Sequence, residues 1–124
     1  MLGGALSLVL GALISDVAYY NTYEIQWQNF SSWLIVGGLF FSGFALVFAI
    51  VDAFRPVRRA TGFFLYGVIV LATWLVAFFN ALMHARDAWA AMPVGLWLSV
   101  VTVLLTGIAT WLAYARPRVA VVAR

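Results

Sequence analysis

The sequence has no cysteine, no lysine, a single histidine and four acidic residues in 124. Without cysteine there is no disulfide, no thiolate nucleophile and no Cys-ligated zinc or iron–sulfur site. There is no G-x-S-x-G elbow, no H-E-x-x-H pair, no phosphate loop and no dinucleotide fingerprint. Gly3-Gly4 and Gly37-Gly38 lie inside apolar runs, where glycine permits close packing rather than phosphate binding. Charged residues amount to 9%, well under the ~25% of an average soluble domain. So sparse a composition excludes a disordered chain, a nucleic-acid module and an ordinary soluble enzyme.

What is present is apolar. Hydrophobic residues make up 66%, and the mean hydropathy is +1.05. A chain this small leaves much of itself at the surface, so that surface must face lipid. A bilayer core about 30 Å thick asks for roughly 20 apolar residues per helix. Four stretches qualify, at about 2–20, 33–54, 63–84 and 94–114. The expected fold is all-α: one transmembrane domain over residues 1–124, folded as a four-helix bundle. Pro56, Pro93 and Pro117 stand where helices stop or start. The first stretch reads as a retained helix. It has no basic n-region, and Asp16, Tyr19 and Tyr20 occupy the place of a signal-peptide cleavage site.

Arginine placement orients the bundle. Arg55, Arg58 and Arg59 fall in the second loop and Arg116, Arg118 and Arg124 in the tail, against Arg86 alone in the third loop. Cytoplasmic segments hold the cationic excess, so both termini are expected inside. The net charge of +3 then reports topology and implies no nucleic-acid partner. Aromatic residues prefer the headgroup level. Tyr19, Tyr20, Tyr23, Trp27, Trp33 and Trp89 are expected in an outer belt, and Phe54, Phe63, Phe64, Tyr66, Trp111 and Tyr114 in an inner one.

Helices in lipid pack through small residues, and each span carries such a stripe. The stripes are Gly4, Ser7, Gly11 and Ser15; Gly38, Ser42, Ala45, Ala49 and Asp52; Thr73, Ala77, Asn80 and His84; and Gly95, Ser99, Thr102, Thr106 and Thr110. A repeat near 3.5 keeps one seam inward. Spans two and four also end alike, at Asp52-Ala-Phe-Arg55-Pro56 and Ala113-Tyr-Ala-Arg116-Pro117. Superposing those ends places Gly38 on Ser99 and suggests a duplicated helical hairpin.

Two polar groups stand in or near the spans, where ionisable side chains are costly and often functional. On the inner side Asp52 precedes Arg55, Arg58 and Arg59, a set suited to an ion pair or to a lipid headgroup. On the outer side Asp16 lies near the end of the first span, while Asn80, His84 and Asp87 share a face of the third and Arg86 follows. Asp16 is expected to contact His84 or Arg86. Such a cluster is either a clasp joining two helix ends or a site that tunes an imidazole and passes a proton. A metal could be held by His84 with Asp16 and Asp87, but one imidazole with two carboxylates is a weak match to a tight site, and no metal is expected.

Ser15-Asp16-x-Ala18-Tyr19, Trp33-Leu34-x-x-Gly37, Asp52, Asn80-x-x-x-His84-x-Arg86-Asp87 and Gly95-Leu96-x-Leu98-Ser99 together resemble a family of small bacterial membrane proteins, domain of unknown function 2231. The resemblance spans nearly the whole chain. It implies a four-helix membrane domain and, because some relatives are fused to Rieske-type ferredoxin or cytochrome c modules, service to an electron-transfer system. Many relatives carry a His-Pro pair just before the first helix. None precedes Leu2 here, so the resemblance implies a protein that does without that pair or has a shortened start.

The leading expectation is a non-enzymatic protein of the bacterial cytoplasmic membrane, without cofactor. It would be an accessory subunit or a self-assembling bundle whose partners are lipid, membrane subunits or copies of itself. A second reading is a haem b electron carrier. Bis-imidazole ligation needs two histidines, so His84 would pair with its copy in another protomer, or with Met83 or Met92. A third is a small transporter or proton pathway through Asp16, Asn80 and His84. The orientation is tested by reporter fusions at Arg124 and within residues 21–32, which should report opposite sides. An extracytoplasmic C-terminus overturns it.

Overall fold

The computed structural model describes residues 1–54, 63–86 and 92–115. Four helices account for nearly all of them: α1 Leu2–Thr22, α2 Ile25–Ala53, α3 Phe63–His84 and α4 Val94–Ala115. All four are long and apolar enough to cross a membrane. Each helix packs on the next and α4 returns to α1, so they close into an up-and-down ring. In that ring α1 stands diagonally opposite α3.

One boundary departs from expectation. α2 begins at Ile25, not near Trp33, and the connection from α1 shrinks to Tyr23 and Glu24. Gln26, Gln28, Asn29, Ser31 and Ser32 are polar enough to read as a loop, yet no Gly or Pro interrupts the chain from Glu24 to Val36. With nothing to stop it, the helix runs on. At 29 residues and ~1.5 Å per residue it is about 44 Å long, and its first turns stand beyond a hydrocarbon core of ~30 Å. The tight corner is made by Tyr23, which takes the left-handed conformation at φ 56° and donates its N–H to the Tyr19 carbonyl.

The inward faces are rows of small and hydroxyl residues at three- and four-residue steps. α2 buries Gln28, Ser31, Ile35, Gly38, Ser42, Ala45 and Ala49. α3 buries Tyr66, Val70, Thr73, Ala77, Asn80 and His84. α4 buries Gly95, Ser99, Thr102, Thr106 and Ala109, with Thr110 half-buried. These are the expected stripes. On α1 the seam is rotated: Leu2, Ala5, Val9, Ala12, Ser15, Asp16 and Tyr19 face inward, whereas Gly4 and Ser7 are exposed. The reason is Asp16, which must point at its polar partners and carries the residues one and two turns before it onto the same face. Gly4 and Gly11 instead border α2, beside Phe41 and Leu34.

Of the expected belts, Tyr20, Tyr23, Trp27, Trp33, Phe54, Phe64, Trp111 and Tyr114 are exposed. Tyr19 and Tyr66 are buried in the bundle instead. Trp89 and the Phe63 side chain lie outside what is described, as do Arg55, Arg58, Arg59, Asp87, Arg116, Arg118 and Arg124.

The two ends of the interior differ. Leu2, Ala45, Ala49, Tyr66, Val70 and Ala109 form an apolar cluster at one end, backed by Leu46, Ile69 and Leu112. Mid-bundle, the hydroxyls of Thr73, Thr102 and Thr106 return their protons to carbonyls of their own helices at 2.6–2.7 Å. They are packing groups, self-satisfied. At Gly38 an added Cβ would lie 2.8 Å from Val9 Cγ1, whereas at Gly107 it would meet nothing within 4 Å. Gly38→Leu should therefore lower stability by about 1–3 kcal/mol through overpacking. Gly107→Ala should raise it by about 0.5–1 kcal/mol through helix propensity. Denaturant unfolding of the detergent-solubilised protein checks both, and equal tolerance at the two sites would mean that the seam is drawn wrongly.

Candidate functional site: a polar layer joining four helices

At the end opposite the apolar cluster, side chains from every helix meet in one layer. Asp16 comes from α1, Gln28 and Ser31 from α2, Asn80 and His84 from α3, and Ser99 from α4; all six are at most 4% exposed. The centre is a contact across the bundle diagonal, where His84 Nε2 lies 2.8 Å from Asp16 Oδ1. Such a reach needs a narrow bundle, and Gly95 provides it. A Cβ there would stand 3.0 Å from His84 Cε1, so the absent side chain is what admits the imidazole edge to α4.

The hydrogen bonds fix where the protons are. His84 Nδ1 faces the Asn80 carbonyl at 2.9 Å, and a carbonyl only accepts, so Nδ1 carries hydrogen. Ser99 donates its hydroxyl to Asp16 Oδ2 and accepts from Asn80 Nδ2 at 3.0 Å. Ser31 gives its hydrogen to the Ala12 carbonyl at 3.2 Å, and its oxygen then faces His84 Nε2 at 3.4 Å. Gln28 Nε2 donates to the His84 carbonyl at 3.3 Å. Only one position is left open. A single proton lies between Nε2 and Oδ1, and the pair is neutral in sum whichever atom holds it. That neutrality is what makes two ionisable groups tolerable at this depth.

The layer unites Asp16, Asn80 and His84 of the expected outer cluster. Arg86 is exposed, with Nη1 3.8 Å from Met83 Sδ, and does not enter it. Asp87 lies outside the described residues, and so do the expected inner partners Arg55, Arg58 and Arg59; Asp52 is half-buried at the end of α2. Three members were not expected. Gln28 and Ser31 fell in the supposed loop, although the 3–4 stepping of Gly38, Ser42, Ala45 and Ala49 continues backward through Ile35 to both of them. Ser99 stood in a packing stripe and proves to be a carboxylate partner. In the layer Ser99 is level with Ser31, a full heptad from the Gly38 position that a duplicated hairpin assigns it.

The arrangement limits the chemistry. Carboxylate and serine both approach the same imidazole nitrogen, so no nucleophile is activated as in a Ser-His-Asp relay. Both ring nitrogens are engaged, so His84 as folded offers no lone pair to a haem iron. No group of three His, Cys, Asp or Glu suited to a metal occurs among the described residues.

Four apolar helices around a buried polar layer define an integral membrane bundle. The chain matches the family described as "Predicted membrane protein (DUF2231)" over residues 4–115, and it belongs to that family. Comparison with curated proteins and with solved structures gives no match.

Removing the carboxylate takes from His84 Nε2 its close partner and from the Ser99 hydroxyl its acceptor. Asp16→Ala should lower stability by about 1–3 kcal/mol, and Asp16→Asn should recover part of that by keeping an acceptor. A double-mutant cycle with His84→Phe should give a coupling of about 0.5–3 kcal/mol. Additive effects would show that the two residues do not hold each other.

Proposed function

We propose that the protein is a non-enzymatic component of the bacterial cytoplasmic membrane that acts through contacts within the bilayer, as an accessory subunit or a self-assembling bundle. The observation that carries this reading is the closure of the interior. The chemistry-bearing side chains of the polar layer bind one another, at 0–4% exposure, and none is presented to a substrate. What the molecule offers to others is its exterior. One exposed feature is the projecting start of α2, where Glu24, Gln26, Trp27, Asn29, Phe30 and Trp33 line an open groove of about 560 Å³. Aromatic residues at such a position favour both headgroups and protein partners.

Service to an electron-transfer system rests on the family resemblance alone. In that setting the redox centre belongs to the companion, since the hydrogen bonding of His84 disfavours haem ligation here. A through-membrane proton path draws less support, because the mid-bundle hydroxyls bond to their own helices and the far end is apolar.

Single-molecule counting of labelled protein in native-lipid discs tests the proposal. The expected result is two or more copies per disc, or one copy with a stoichiometric membrane companion, and Trp33→Ala should reduce the associated fraction. A lone monomer at every expression level overturns it.

A further inference from the structure

Two buried acceptors in the polar layer have no donor. Gln28 Oε1 and Asn80 Oδ1 sit on side chains 4% and 1% exposed, and neither oxygen meets a hydrogen-bond partner. Turning either amide over gives no relief. The Gln28 nitrogen already serves the His84 carbonyl and the Asn80 nitrogen serves Ser99. A flip would set an oxygen against a carbonyl in one case. In the other it would face a hydroxyl whose hydrogen is held by Asp16. Buried carbonyls left in this way are costly, and folded proteins relieve them with bound water wherever several polar partners are at hand. Both side chains adjoin the central pair through one intervening group. Gln28 reaches it through the backbone of His84, and Asn80 through the serine on the other carboxylate oxygen of Asp16.

Position favours water as well. His84 is the last residue of α3, Gln28 lies in the first turn of α2, and Asp16 is under two turns from the end of α1. The layer therefore sits beside the headgroup zone rather than at the bilayer midplane. At the opposite end, among the described residues, the apolar cluster around Val70 and Ala109 intervenes.

We propose that the layer is a hydrated, one-sided proton-binding site. Water held by Gln28 Oε1 and Asn80 Oδ1 links the Asp16–His84 pair to the aqueous phase at its own end of the bundle. The pair exchanges its shared proton with that phase alone. The balance is simple. Giving the proton to water leaves carboxylate and neutral imidazole, with one net negative charge. Taking a second proton leaves carboxylic acid and imidazolium, with one net positive charge. Among the described residues few other titratable groups attend the layer. Tyr19 faces inward beside Asp16 on α1, Glu24 is exposed at the start of α2, Arg86 is exposed past α3, and the one ionisable side chain of α4, Tyr114, stands at its far end.

His84 is the one histidine of the chain, so ¹⁵N-histidine labelling reports on this site without ambiguity. In lipid nanodiscs the labelled ring should show cross-peaks to water, and its N–H signals should be lost within seconds of transfer to D2O. Ring signals that persist for hours in D2O overturn the proposal and leave a dry clasp. Gln28→Leu removes one water-holding oxygen and should slow exchange at least about ten-fold, the scale of one lost hydrogen bond. Thr106→Val, below the layer, should leave exchange unchanged. An unaltered rate in folded Gln28→Leu overturns the role of that oxygen, and slowing by Thr106→Val overturns one-sidedness. Should Gln28→Leu fail to fold by circular dichroism, exchange in the unaltered protein still decides.

Discussion

The proton shared by Asp16 and His84 crosses the bundle from α1 to α3, and the other polar side chains of the layer take their places from it. Because Nδ1 must donate to the Asn80 carbonyl, the ring is held in one orientation with Nε2 toward α1. The second carboxylate oxygen is then left for Ser99, which draws in α4, while Ser31 and Gln28 close the side toward α2. Adjacent helices in a lipid environment gain no hydrophobic attraction for each other. A bond across the diagonal ties corners that ordinary neighbour packing does not join.

The remainder of the interior shows what that bond contributes. From Ile35 downward most of the inward residues are Gly, Ala, Val and back-bonded Ser or Thr, with Leu2 and Tyr66 at the far end, and small groups specify close approach but distinguish poorly between one register and the next. Sliding a helix by one turn keeps most of those contacts and destroys every bond in the polar layer. The layer thus contributes less through net energy, which for polar contacts in membranes is about 0.6 kcal/mol on average, than through the penalty it sets on alternatives. Gly95 belongs to the same device. A Cβ there would stand 3.0 Å from His84 Cε1, so a side chain at this position would make the imidazole edge give way by a few tenths of an ångström.

Spans, helix count and most of the inward faces could be read from the chain because two signals, apolar length and small-residue stepping, agree on α2, α3 and α4. On α1 the two signals separate. Gly4, Ser7 and Gly11 form a stripe of small residues, but a single charged residue one position off that stripe decides which face turns inward. Ionisable groups outweigh glycines in lipid, so Asp16 and not the glycine stripe sets the inward face of α1. The start of α2 is obscured for a related reason. Polarity suggests a loop, whereas helix termination needs a breaker, and none stands between Glu24 and Val36. Depth alone points Asp16 to His84 or Arg86 without choosing between them, and the structure chooses His84. The extension of that contact to Gln28, Ser31 and Ser99 is not legible in the sequence, because it depends on which helices are neighbours, and ring order leaves no mark in composition or spacing.

The position of the pair along the membrane normal bears on what a proton there can do. Moving one charge through the full membrane potential is worth about 2.3 kcal/mol per 100 mV. A site next to one end of the helices crosses only a small part of that field, so its exchange with the nearer aqueous phase is almost free of voltage. Proton release nonetheless changes the layer locally. It removes the hydrogen that binds α1 to α3 and leaves a carboxylate held by Ser99 alone. Occupancy of the proton and closure of the diagonal are therefore one equilibrium. A partner that docks at this end of the bundle and favours the closed form must also favour the protonated pair, by the reciprocity that couples any two sites through a shared state.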